Sequence, residues 1–199
     1  MTSRAILGAA LATGAALLVA CGGGGALDNP PNLANPPGVS GQKLSFAYFQ
    51  RCVNPVLNQP LPVTLNGSTS LNTCASAGCH DNSTGTGGAL RLLGQATAVD
   101  AATLSADAIR ATDMYKNYYS SLGESVVGAP DQSRMLNKPL VRGVLHGGGL
   151  IFENTSSREA QLIRYWISRP MPQGQDEFSA AANTMFTPPD PATGACNVE

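Results

Sequence analysis

Two cysteines with a histidine directly behind the second, in the run Cys74-Ala75-Ser76-Ala77-Gly78-Cys79-His80, constrain this chain more than any other stretch. A c-type haem needs two thiols to add across its vinyl groups, and a histidine fixed beside the second thiol to bind iron. Covalent geometry alone puts His80 in that place. The usual spacer between the thiols is two residues, and here it is four. The longer loop must bulge to bring both sulfurs to one ring, and Ala75, Ser76, Ala77 and Gly78 are small enough to let it. The same residues have two plainer readings. One is a Cys74–Cys79 disulfide in a surface turn beside an idle His80. The other is a bare metal site, but five Cys and two His in the whole chain leave too few ligands for a convincing tetrahedral shell.

The N-terminus reads as an address. Arg4 gives a short positive region, and Ala5 to Ala20 is apolar but too short to span comfortably as a mature helix. The stretch ends in Leu18-Val19-Ala20-Cys21, which resembles the lipobox of bacterial lipoproteins, with Cys21 as the thiol that takes the diacylglycerol. An ordinary signal peptide with a chance cysteine is the plainer alternative. Gly22 to Gly25 follow as a tether would, and Gly22 rather than Asp after the lipidated cysteine resembles sorting to the outer membrane. Export implies an oxidising compartment. Residues 1–20 are therefore expected to be a lipoprotein signal peptide and 21–41 a Gly/Pro-rich tether. The protein would face the periplasm or the cell exterior, held to the membrane by lipid on Cys21.

Composition narrows the partners. Formal charge is −1, and removing the leader with Arg4 leaves 11 basic against 13 acidic residues. No Lys/Arg run exists, which argues against nucleic acid.

The folded part is expected from residue 42 to 199, as one domain. Phe46, Phe49, Val53 and Val56 recur at helical spacing, predicting a helix from Gln42 to about Leu57 that Pro55 bends or ends. Leu61 to Thr73 reads as polar and turn-rich. A second helix is expected over Ala102 to Leu122, ending before Gly123. Ser156 with Glu159 has the form of a capping box. It opens a helix whose apolar face is Leu162, Ile163, Trp166 and Ile167 and which Pro170 stops. The Pro-, Asn- and Thr-rich remainder, from about residue 170, shows no convincing element.

Five pieces in order resemble cytochrome c domains of the planctomycete type. Phe49 and Val53-Asn54-Pro55-Val56-Leu57 are similar to the helix before that family's haem motif. Gly88-Ala89-Leu90-Arg91-Leu92 is similar to the segment after it. Ser133-Arg134-Met135-Leu136-Asn137-Lys138-Pro139-Leu140 resembles its "S-x-L-L-x-K-P" stretch. His146-Gly147-Gly148-Gly149 and Tyr165-Trp166-Ile167 then come in family order. The chain departs from the pattern after the last helix, at Arg169-Pro170-Met171-Pro172 and the long tail. The resemblance implies an all-α chain with a small class I-like cytochrome c fold, long loops and an unstructured C-terminal tail. It also implies one haem c, electron transfer and unidentified redox partner proteins.

For the sixth iron position the chain offers a choice. His146 stands in a glycine-rich loop that lets backbone and imidazole approach a flat ring, though a solvent-exposed loop histidine is the ordinary alternative. Met171, between two prolines, is the rival ligand, and Met185 and Met135 are weaker ones. Met135 stands where the family has leucine, which implies packing. His146 is the preferred reading. Of the five cysteines, Cys21 goes to lipid and Cys74 with Cys79 to haem, leaving Cys52 and Cys196. If the last helix packs on the first, as in small cytochromes c, the tail can return Cys196 to Cys52; two separate thiols are the alternative. The expected protein is an electron carrier and not an enzyme. Two other classes stay open: a disulfide-stabilised binding or scaffold lipoprotein without haem, and a haem enzyme or ligand sensor with an open iron position.

Overall fold

The computed structural model describes residues 38, 41–65 and 67–199. The expected leader and tether, with Cys21, fall outside these apart from Gly38 and Gly41. No helix among the described residues is long and apolar enough to cross a membrane.

The chain enters the core at once. Ser45 caps the short helix α1 (Phe46–Tyr48) by accepting from the Tyr48 N–H, and a π-helical turn (Phe49–Val53) joins it to α2 (Asn54–Asn58). Pro55 was expected to bend or end this helix. It is instead tolerated in the first turn of α2, where a proline's missing N–H costs least. Here the wider turn hands the Asn54 N–H to the Phe49 carbonyl.

The stretch expected to be irregular is a hairpin. β1 (Leu61–Leu65) pairs antiparallel with β2 (Ser68–Asn72), Leu61 opposite Asn72 and Leu65 opposite Ser68. Leu61 and Val63 point inward while Pro62 and Thr64 face out, the period of two that a strand imposes. The single helix expected over 102–122 is two. α3 (Ala106–Arg110) ends, and the Thr112 hydroxyl caps α4 (Asp113–Gly123) by accepting from the Tyr115 N–H. A 3-10 turn (Pro130–Gln132) and α5 (Arg134–Asn137) follow.

α6 (Arg158–Ser168) starts at Ser157 rather than Ser156, and the capping box does not form. Glu159 instead accepts from Gln59 Nε2 at 3.0 Å, tying α6 to the end of α2. The apolar face of α6 is as expected, with Ile163, Trp166 and Ile167 fully buried. Trp166 meets Phe49 at 5.3 Å and Tyr118 at 6.1 Å between ring centres, so the first helical run, α4 and α6 share one aromatic junction. The polar ends of these rings are satisfied by the entering chain: Trp166 Nε1 donates to the Ser45 carbonyl (2.9 Å) and the Tyr118 hydroxyl to that of Leu44 (2.8 Å).

The expectation of an all-α fold with an unstructured tail is wrong on both counts. Alongside the helices stand two antiparallel strand pairs, β1–β2 and β3 (Phe186–Thr187) with β4 (Ala195–Cys196), so the chain mixes helix and strand. The tail is ordered because distant partners hold it. The Met171 N–H donates to the Lys43 carbonyl, the Phe46 N–H to that of Glu177, and the Tyr48 hydroxyl to that of Asn197. Met185 and Phe186 are buried beside a 3-10 helix (Ala180–Met185). Cys196 reaches Cys52 in a disulfide with the Cα atoms 6.0 Å apart, closing a loop of 144 residues.

Candidate functional site

A cavity of about 520 Å³ opens between the β1–β2 hairpin, the loop that follows it, α5 and the loop before α6. Its walls include Cys74, Cys79, His80 and His146 together with apolar Leu61, Val63, Leu90, Ile151, Phe152 and Ile163. That volume lies in the range of roughly 300–1,000 Å³ typical of small-molecule and cofactor sites.

The loop carrying the thiols is folded back on itself. The His80 N–H donates to the Cys74 carbonyl at 2.9 Å and the Cys79 N–H to that of Ser76 at 3.0 Å. The four-residue spacer therefore closes as a compact turn, and Gly78 takes φ +84°, where a side chain would be strained. Both thiols are free and half-buried, in contrast to the paired Cys52 and Cys196. Burial, and after it the neighbouring Cys79, pushes the Cys74 thiol up to about 11, so it stays protonated at neutral pH.

The two imidazoles are the centre of the site. Their rings lie 6.3 Å apart between centres and within 10° of parallel. His80 Nδ1 meets the Leu90 carbonyl at 3.1 Å, and His146 Nδ1 meets that of Gly149 at 2.9 Å. A carbonyl can only accept, so each Nδ1 carries the proton and each Nε2 keeps a lone pair, the tautomer a metal ligand needs. Burial lowers both pKa values, which keeps the rings neutral. A metal–imidazole bond of about 2 Å on either side of one ion places the two ring centres about 6 Å apart. The observed separation is that distance. Among the described residues no three His, Cys, Asp or Glu side chains gather around a common point, as a bare ion held by protein alone would require.

Several parts of the site were not legible in the sequence. The Leu90 carbonyl is one, and it gives the Gly88–Leu92 segment a purpose. The Leu92 N–H donates to the His80 carbonyl at 2.7 Å, and the Asn82 N–H donates back to that of Leu92 at 2.9 Å, so the segment lies along the His80 backbone. Gly87 is another: a Cβ there would sit 2.6 Å from His80 Cε1 and Nδ1 and from the Cys79 carbonyl oxygen. The invasion of the histidine's space by backbone is the physical reason for a glycine. A third is the charged group Glu124, Arg134 and Lys138, three residues of the cavity wall from the end of α4 and from α5.

Of the methionines weighed as ligands, Met135 lines the cavity, whereas Met171 and Met185 are absent from its walls. Met171 is buried where its backbone joins Lys43 and Gln42, so the rival ligand is not brought to the thiols.

No protein-family model matches the chain, and neither the curated proteins nor the solved structures contain a match to it.

Proposed function

We propose that this chain is a monohaem c-type cytochrome, exported as a lipoprotein anchored through Cys21, that carries single electrons between redox proteins. The observation that supports it best is the pair of near-parallel imidazoles 6.3 Å apart, His80 and His146, in the same cavity wall as two free thiols. Cys74 and Cys79 would hold the porphyrin by thioether bonds, and His80 and His146 would bind its iron. The group supplies a one-electron change at iron.

The protein's own contribution is positioning and exclusion of water. The Leu90 and Gly149 carbonyls fix both tautomers and ring orientations before any ligand arrives. Apolar Leu61, Val63, Ile151 and Phe152 keep the surroundings of low polarity, which disfavours a net charge on the iron centre. Two histidines binding the iron would leave no open position on it for a substrate, which favours electron carriage over turnover. Two nitrogen ligands also imply a lower potential than a histidine–methionine pair would give.

The full chain, produced in a host with haem-attachment machinery, should retain peroxidase-active haem stain after denaturing electrophoresis. A scaffold lipoprotein held together by disulfides, a reading the Cys52–Cys196 bridge keeps in view, would run unstained.

A further inference from the structure

Three acidic or basic side chains stand in a cavity wall otherwise lined by apolar and polar residues, the two histidines and the two thiols: Glu124, Arg134 and Lys138. Burying charge is costly, and chains retain it where something of opposite charge must be met. Arg134 is only 7% exposed and Glu124 8%. Arg134 Nη1 lies 3.8 Å from Glu124 Oε2, attracted but beyond the 2.7–2.9 Å or so of a charge-assisted hydrogen bond. Lys138 bears on both imidazoles and on Glu124 through its charge. Lys138 therefore stands near both rings, and Glu124 and Arg134 share the cavity wall with them, at the ends of α4 and α5, while the thiols come from the loop after β2. Two cations against one carboxylate leave this patch a net positive charge.

Haem itself carries two propionate carboxylates, on a different edge of the porphyrin from the vinyl groups that thiols attack. A guanidinium is the side chain best suited to a carboxylate in a dry site, since its planar fork can hold two oxygens at once. We propose that Arg134 and Lys138 bind the haem propionates, with Arg134 bridging a propionate and Glu124. This deepens the haem reading above and depends on it. It gives the Arg134–Lys138 stretch, which the sequence marks without explaining, a defined ligand chemistry.

The test uses the full holoprotein carrying haem labelled with carbon-13 at its propionate carboxyls, compared by redox-difference infrared spectroscopy and by midpoint potential. Arg134→Gln should shift the labelled carboxylate bands and lower the potential, because a cation near the iron favours the less positive ferrous state. Arg134→Lys should restore part of both, and Glu124→Gln should move the potential the opposite way. If Arg134→Gln fails to fold, Lys138→Gln, at a half-buried position, decides by the same two readouts. Labelled bands that stay unmoved in the folded variants, with haem attached, overturn the assignment. Absence of haem from the wild-type protein defeats the haem reading instead, so the two failures are told apart.

Discussion

Asn117 is the side chain on which the post-motif segment hangs, and Asn117→Leu tests that claim. It is fully buried in α4. Its Oδ1 accepts from the Leu93 N–H at 2.7 Å, and its Nδ2 donates to the Leu93 carbonyl and to Asn54 Oδ1, both at 3.0 Å. One amide thus replaces a strand partner for Leu93, next to the Leu92 that holds His80, and ties the same point to α2. Leucine keeps the number and branching of side-chain heavy atoms but satisfies none of the three groups. Asn54 Oδ1 is buried and loses a partner at a cost of about 1–3 kcal/mol. Leu93 is a half-buried residue whose backbone groups can recover part of their bonding from water, so each costs about 0.5–1 kcal/mol. The sum is a loss of about 2–5 kcal/mol. Guanidinium unfolding should show a lower midpoint with an unchanged slope, and the Leu92 amide should exchange faster with solvent. A loss below about 1 kcal/mol, with Leu92 exchange unaltered, refutes the argument that unsatisfied buried groups dominate here.

Changing Cys52 and Cys196 together to serine should destabilise the chain by about 2–4 kcal/mol, measured by thermal unfolding, because the bridge closes a long loop and pins the tail. Gly87→Ala should displace the His80 ring, so that haem attachment falls in a staining assay even where circular dichroism shows the fold intact. His146→Ala should convert a low-spin ferric spectrum to one that binds added ligand, while Met171→Ala should leave the spectrum alone. Glu177 is nearly buried. Burial opposes its charge, but a hydrogen bond from its own backbone and those from Tyr115 and Arg110 together outweigh that and hold its pKa below the ordinary 4.5. A depressed carboxylate contributes stability that is present above the ordinary value and lost as pH falls through the folded one. The stability difference between wild type and Glu177→Gln should therefore shrink as urea titrations move from pH 6 to pH 3.

Where an element rests on its own periodicity, the sequence shows it. The apolar faces of the first helical run and of α6 follow from spacing, and both helices formed. The β1–β2 hairpin was also signalled, by Leu61 and Val63 alternating ahead of Asn66-Gly67, a dipeptide suited to a two-residue hairpin turn. The signal is weak because β2 is Ser/Thr-rich and mostly exposed, so only one strand carries an apolar alternation. The break at Thr112 depends on one hydroxyl serving α4 better than a continuous helix would, which spacing does not reveal. Of the tail, only the return of Cys196 to Cys52 was legible. Its order comes from bonds to Lys43, Phe46 and Tyr48 more than a hundred residues away, with no local apolar face of its own. In the site, the histidines and thiols stood out by residue type. Their backbone partners, Leu90 and Gly149, did not, since any residue has a carbonyl.

The central claim is that Cys74 and Cys79 carry haem, and mass spectrometry of the protein purified from a haem-attaching host tests it directly. The account predicts one haem added per chain, located on the peptide containing both cysteines. A chain of unmodified mass with a Cys74–Cys79 disulfide, from a host that loads other c-type cytochromes, would contradict it.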